Sequence, residues 1–533
     1  MTQQIKGNKK VLVTDILVIG SGAAGANFAL HAAGNTKITL VCKGKLEDSN
    51  TNKAQGGLAA VMDSYDSFAE HIQDTLTTGV GLCREETVQI VVEEAPGEIR
   101  KLLNNGMPFT MENKKLLLSR EGGHNKNRVC YAEDDTGAKL AKTLLVQLRE
   151  QAVTVLENHF VLELITLCGK DSVSAHKRCV GAHVVDGKGN EFAILSKAIV
   201  LATGGAGQLY QQTSNPEIAT ADGVALAYRA GAVVEDMEFV QFHPTALCKE
   251  GCPNFLISET VRGEGGLLYN TLGERFMLRY HEMKELAPRD EVARAIHEER
   301  KKGEVYLDIR HKGSDYILSR FPMIHATLFS YGIDMTKEMI PIAPAAHYMC
   351  GGVKVDCYGQ TSISGLYAIG EVSCTGLHGA NRLASNSLIE ALVFGKRCAA
   401  KILEELITLH TPLKQIFETL PSGIPGTNIN EVLEFRKELQ SIMSSHVGII
   451  RTEQGLREAL VRLRTLEKKL AVYSNNKNIV EIKNMILVGY LIAKAALFRR
   501  ESRGTHFRQD YPHLLLEWLV HYLLAEGKEE VCT

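Results

Sequence analysis

Short apolar runs that end in glycine organise the start of the chain. Residues 15–19 are rich in β-branched side chains, 22–33 carry small apolar residues at helical spacing, and 38–41 are β-branched again. This predicts a strand–helix–strand unit of about 30 residues, and with it a parallel sheet. A second apolar run, 198–202, leads into Thr203-Gly204-Gly205, and a third, 365–369, stops at Gly370-Glu371. Three glycine-ended strands so far apart in sequence predict one sheet whose C-terminal edge holds a ligand.

Between the last two strands the pattern becomes polar and mixed over 237–347, with a glycine-rich turn at 263–266 and a helical stretch after Pro288. An insertion of that size reads as a separate capping unit. Residues 421–426 form a Pro/Gly/Ser breaker cluster that suits a linker. Beyond it Leu456, Leu460, Leu463, Leu466 and Leu470 mark one helix face, and 430–444 and 479–499 are also helical in pattern. The predicted fold class is α/β: a Rossmann-like dinucleotide domain in two segments (1–236 and 348–422), an inserted α+β capping domain (237–347) and a C-terminal helical bundle (423–533).

Composition narrows the partners. Sixty basic and 62 acidic residues among 533 leave a formal charge of −2, with no basic stripe for nucleic acid or an anionic membrane. Twelve cysteines without a C-x-x-C pair suit scattered thiols in a reducing compartment, and no metal or iron–sulfur site is readable. Lys6, Lys9 and Lys10 ahead of an apolar run imitate a signal peptide, but Asp15 interrupts the run and Gly20 ends it. The 485–498 run is broken by Lys494 and is too short for the ~30 Å hydrocarbon core. The expectation is a soluble, cytoplasmic protein.

Gly20-x-Gly22-x-x-Gly25 falls between the first strand and helix, where a dinucleotide pyrophosphate meets backbone N–H groups and the positive end of the helix. At the end of the second strand, where an acid usually bonds the ribose hydroxyls, the chain has Cys42-Lys43, and Glu47 is the nearby substitute. The motif does not choose between FAD and NAD.

Further motifs are more specific: 50–57 (Asn-Thr-Asn-Lys-Ala-Gln-Gly-Gly), Gln241-Phe242-His243-Pro244-Thr245, 259–265 (Glu-Thr-Val-Arg-Gly-Glu-Gly), Pro288-Arg289-Asp290, 347–352 (His-Tyr-Met-Cys-Gly-Gly), 379–387 (Gly-Ala-Asn-Arg-Leu-Ala-Ser-Asn-Ser) and 501–506 (Glu-Ser-Arg-Gly-Thr-His). In this order, from about residue 12 to the C-terminus, they resemble the flavoprotein family of succinate dehydrogenase and fumarate reductase. Glu121, within 119–124 (Ser-Arg-Glu-Gly-Gly-His), points within that family to the branch that oxidises L-aspartate to iminoaspartate. Electrons would then pass to dioxygen, giving hydrogen peroxide, or to fumarate. The imine would go to quinolinate synthase in the first steps of NAD synthesis.

The resemblance also implies roles. His243, Ser258, His347 and Arg382 would hold a four-carbon diacid, since two carboxylates need several fixed donors. Glu121 would meet the substrate ammonium, which succinate lacks. Arg289 would be the proton-transfer residue, fed by Glu259 and Arg262, although a guanidinium with a pKa above ~12 is a poor base. FAD would lie along Gly20, Ser21, Gly22, Ala23, Ala24 and Gly25, along Asn50, Thr51, Asn52, Lys53, Ala54, Gln55, Gly56 and Gly57, and against Lys43, Phe160, Val161, Asp222, Glu371, Ser387 and Leu388. The N-terminal dipole of a helix over 388–394 would favour charge on reduced flavin. Asn50 stands where respiratory members carry a flavin-tethered histidine, so the cofactor would be noncovalent. Two other readings stay open: a flavoprotein subunit of a membrane-bound dehydrogenase, and a flavin-binding module without catalysis.

Overall fold

The computed structural model describes residues 3–5, 9–34, 36–168, 177–406, 429–473, 476–527 and 531–533. Lys6, the breaker cluster at 421–426 and the boundary at 422/423 lie outside the described residues.

The three glycine-ended strands share one sheet. Its order is Val153–Leu156, Ile38–Val41, Ile16–Ile19, Ala198–Leu201, Leu366–Ala368, with every pair parallel. All residues of the three central strands are buried, which is why, Thr39 apart, they read as apolar runs rather than as an alternation. The helix Ala23–Ala32 packs against Asn386–Glu405, joining chain segments more than 350 residues apart. Gly395 permits this approach, since a Cβ there would lie 3.1 Å from the Ala24 carbonyl oxygen, and Asn27 Nδ2 donates to the Leu392 carbonyl at 2.7 Å. The second helix is much longer than the predicted 388–394 because its apolar face continues through Val393, Cys398 and Ile402 without a breaker.

A second sheet on the same unit combines Gln3–Ile5, Lys9–Val13, Glu191–Leu195, Lys177–Val185 and Phe160–Cys168. The inserted segment builds its own four-stranded antiparallel sheet from Val240–Leu247, Ile340–Met349, Val305–Asp308 and Leu267–Asn270. It also has its own apolar core, reaching from Leu247 to Ile342. The helix Arg289–Arg300, preceded by Pro288, packs on that sheet.

Three C-terminal helices, Ile429–His446, Glu453–Leu470 and Lys477–Phe498, follow. Of the leucine stripe, Leu456, Leu463, Leu466 and Leu470 are buried and Leu460 is partly so. They share one continuous core with Leu164, Tyr210 and Leu226 of the dinucleotide-binding region. After Phe498 the described residues hold no further α-helix, only the 3₁₀ turn Leu516–Trp518. Tyr522–Leu524 pairs with Val234–Glu235, returning the end of the chain to the body of the protein. Among the described residues no helix is long and apolar enough to cross a membrane.

Candidate active site

One cavity runs along the C-terminal edge of the parallel sheet and under the inserted unit, enclosing about 1730 Å³ of empty space with its open mouth included. Its lining runs from Gly20 and Lys43 at one end to His243, Arg289 and Arg382 at the other, so the glycine turn and these side chains face one space.

The nucleotide end is built from glycines and a bare helix terminus. Gly20 has φ +110°, and a Cβ there would strike the Ala202 carbonyl, so glycine is required. Gly25 lies against the Gly20 carbonyl in the same way. Gly22 precedes the helix with no capping side chain, and no acid occupies the first turn. Of the first N–H groups, that of Ala23 goes to Thr51 Oγ1 at 2.9 Å. An uncapped N-terminus on a cavity wall suits a phosphate. Asn50 Oδ1, Gln55 Oε1 and Thr203 Oγ1 are buried in cavity-lining residues without a hydrogen-bond partner, as expected where a polar ligand completes the wall.

Just past the second strand, Lys43 Nζ bonds Asp222 Oδ2 at 2.7 Å and Glu481 Oε2 at 2.8 Å and also reaches Thr220. Asp222 thus stands as a carboxylate beside the end of the second strand, held by Lys43. Glu47 is not at this position; it is exposed and paired with Arg149 at 2.5 Å. Glu371 accepts from Asn50 Nδ2 at 3.1 Å and from the Met349 N–H at 3.2 Å, and burial raises its pKa to about 7.

The other end gathers the diacid residues. The rings of His243 and His347 lie 5.1 Å apart. The Thr245 N–H donates to His243 Nδ1 at 3.2 Å, which leaves the proton of a neutral ring on Nε2. Burial first, then Arg289, pushes His243 well below its ordinary pKa, and burial with Arg382 and Arg289 does the same to His347. Both rings are therefore neutral near pH 7. His347 Nδ1 pairs with Ser214 Oγ at 2.8 Å. Ser258 precedes the short helix Glu259–Gly263, where its hydroxyl accepts from the Thr260 N–H at 3.2 Å and bonds Thr260 Oγ1 at 3.0 Å.

Two guanidinium groups meet at a single amide oxygen. Arg289 Nη1 and Arg382 Nε each donate to Gln241 Oε1 at 3.2 Å. Arg382 also donates from Nη1 to Ser387 Oγ at 2.8 Å and lies over the Tyr348 ring, 4.6 Å from its centroid. Burial and the neighbouring Arg289 lower the pKa of Arg382 to about 10. Arg289 Nε bonds Glu259 Oε2 at 2.5 Å. Burial works against the Glu259 carboxylate, but Arg289 and Arg262 outweigh it and hold the group below the usual range. Arg262 Nη2 lies 3.2 Å from Glu259 Oε1 without hydrogen-bond alignment, and both side chains are sealed from solvent. Glu121 is buried, accepting from Ser385 Oγ at 2.7 Å and from Thr260 Oγ1 at 3.3 Å, and burial with Glu259 nearby raises its pKa.

Of the residues that the family resemblance assigned, all but three line this cavity. Gly25 packs behind Gly20, Asn52 turns back to Ser49 Oγ through its N–H, and Arg262 stands behind Glu259. Sequence reasoning missed Gln241, Tyr348, Thr260, Ser214 and Ser385 as working parts. Gln241 was within reach: it lies two residues before His243 on one strand, and alternate strand residues tend to share a face. Elsewhere, Glu235, Asp236 and His521 form the one cluster with metal-ligand spacing among the described residues. Its groups are already taken up by Arg84 and Lys354 and by one another.

Comparison with known proteins agrees with this geometry. The family described as "FAD binding domain" matches residues 15–388, and "Fumarate reductase flavoprotein C-term" matches 436–532. An L-aspartate oxidase of Yersinia pestis is 44% identical over 519 residues, covering 94% of this chain and 96% of the relative. A chloroplastic L-aspartate oxidase 2-b of Nicotiana tabacum is 43% identical, covering 94% and 81%. Among solved structures, an E. coli quinol fumarate reductase chain superposes with TM-score 0.87 at 31% identity, covering 98% of this chain and 96% of that one. The cradle, the cavity and these likenesses agree that the chain belongs to the L-aspartate oxidase branch of the succinate dehydrogenase/fumarate reductase flavoproteins and is an FAD-dependent oxidoreductase.

Proposed function

We propose that this enzyme oxidises L-aspartate to iminoaspartate, and that the observation carrying the reading is Glu121 beside the two guanidiniums and two imidazoles in one cavity. Four polar side chains for two carboxylates would also suit succinate. Glu259 is answered by Arg289, whereas Glu121 meets only hydroxyls among the described residues, which suits a substrate that brings a cation, since a buried ammonium left unpaired costs several kcal/mol.

Bound FAD, on the cradle of 20–25, 50–57, Lys43, Phe160, Val161, Asp222, Glu371, Ser387 and Leu388, supplies the two-electron acceptor. The chain's own residues do the rest. Arg382 and His347 hold one carboxylate, and His243 Nε2 with Ser258 holds the other. Two neutral imidazoles donate without attracting a proton from the substrate. Among the described residues nothing takes up Arg289 Nη2; since the cation has no lone pair, that nitrogen would accept the substrate's proton only as the Nε proton passes to Glu259 Oε2. Glu259, bonded to Nε of the same group, would carry charge away, with Arg262 behind it.

Dioxygen, yielding hydrogen peroxide, and fumarate are the proposed acceptors. Quinolinate synthase is the proposed consumer of the unstable imine at the start of NAD synthesis, in the cytoplasm. The domain division at 236/237, 347/348 and 422/423 is likewise proposed, supported by the separate core of the insert. The test is anaerobic: L-aspartate should bleach the flavin of the purified protein at least tenfold faster than succinate does. Bleaching by succinate but not by L-aspartate would favour a dehydrogenase subunit, and none by either a binding module.

A further inference from the structure

The two guanidiniums belong to different parts of the chain. Arg289 opens a helix of the inserted unit, whereas Arg382 sits on the loop before the helix Asn386–Glu405. Their chain neighbours bond each other across that divide: Asn381 Nδ2 donates to Asp290 Oδ1 at 3.0 Å. Asn381 Oδ1 accepts from Gln241 Nε2 at 2.7 Å, and the same Nε2 donates to the Arg382 carbonyl at 2.9 Å. The other end of the Gln241 amide accepts from both guanidiniums. On the far side, Asp290 Oδ2 pairs with Arg294 Nη1 at 3.1 Å.

This is a directional chain with no tolerated flip. Turning the Asn381 amide would set its oxygen against the Asp290 carboxylate and its nitrogen against the Gln241 nitrogen, two repulsive contacts in a site where Asn381 is 3% and Gln241 0% exposed. The chain also brings two like charges to one acceptor, an arrangement that mutual repulsion would otherwise spread apart.

We propose that Asn381 is a positioning residue that ties Asp290 of the inserted unit to Gln241 and thereby sets the spacing of Arg289 and Arg382. The inference rests on the reading above, that these two groups act on one substrate. A misplacement of about 1 Å costs roughly 10²-fold in rate.

The test exchanges the partners. Asn381→Asp removes the donor and sets a second carboxylate against Asp290. In the double substitution Asp290→Asn with Asn381→Asp, the amide donates from position 290 and still accepts from Arg294. The carboxylate at 381 accepts from it and from Gln241, so every bond is restored. The readout is the limiting rate of anaerobic flavin reduction by L-aspartate, measured apart from its apparent affinity on protein whose FAD content has been assayed. The single substitution should lower the limiting rate about 10- to 100-fold with a smaller change in affinity, and the exchange should bring it back to within about threefold. Asn381→Ser, which removes both bonds and adds no charge, should behave like the single substitution. Variants that match a bleached wild type overturn the inference, as does a double substitution no better than the single, or loss of FAD that the exchange does not repair. A wild type that L-aspartate does not bleach overturns the functional reading as well.

Discussion

Replacing Glu121 with glutamine separates the two reactions the site could run. The side chain keeps its volume, and its new amide fits the same surroundings. The Ser385 hydroxyl can still donate to the amide oxygen, and Thr260 Oγ1, which donates to Glu121 in the native site, can accept from the NH2. What disappears is the negative charge. Two unit charges 4 Å apart at an effective dielectric of ~20 attract by about 4 kcal/mol. Desolvation of the substrate ammonium offsets part of this, leaving roughly 2–3 kcal/mol of net selectivity. At about 1.4 kcal/mol per factor of ten, kcat/KM for L-aspartate should fall roughly 30- to 150-fold. Fumarate has no ammonium, so its reduction by a chemically reduced dye should change less than about threefold. Equal losses in the two assays would show that Glu121 supports the site without reading the amino group. Because burial raises the Glu121 pKa, the wild-type L-aspartate profile should lose activity as pH falls through a point above the ordinary carboxylate range. The glutamine variant should lack that limb.

Arg382→Lys keeps a cation but loses the fork that reaches both Gln241 and Ser387 and the flat face over Tyr348. At about 1.5–3 kcal/mol per charged hydrogen bond, kcat/KM should drop roughly 10²-fold or more, and a loss below tenfold would mean that charge alone suffices. Gly20→Ala forces a Cβ into the Ala202 carbonyl at φ +110°, so the purified protein should be colourless or unfolded; a yellow variant with full FAD would refute the tight-turn account. In the apoprotein, the Glu371 pKa is raised from 4.5 to about 7. The folded state then binds more protons than the unfolded chain between those values, so this group's contribution to stability is full below pH 4.5 and is lost as pH rises through 7. At 1.36 kcal/mol per pKa unit the loss is at most about 3 kcal/mol. Glu371→Gln should flatten that slope in denaturant midpoints measured against pH, and an unchanged slope would place the titration elsewhere.

Much of the framework is local and so was legible in the chain. A β-branched run followed by glycine predicts a strand end wherever it occurs, and the observed strands Ile16–Ile19, Ile38–Val41, Ala198–Leu201 and Leu366–Ala368 fall within one residue or so of those runs. The glycine motif names its own conformation, because the turn at Gly20 admits no side chain. Family motifs carried the diacid residues, since their order along the chain is informative even when their spacing in the fold is unknown.

Only the tertiary structure decided how these groups act on one another. That Lys43 is answered by Asp222 and Glu481, and that Glu47 is drawn to Arg149 instead, depends on chain separations of 179, 438 and 102 residues. The charge states of His243, His347 and Glu259 follow from burial and from which cations pack beside them, a property of the assembled cavity and of no single segment. Gln241 has no role assigned by its motif and is central in space because two arginines from separate parts of the chain converge on one amide oxygen. Backbone conformation follows short-range sterics and is written into neighbouring residues, whereas electrostatics depends on distance through space and has to wait for the fold.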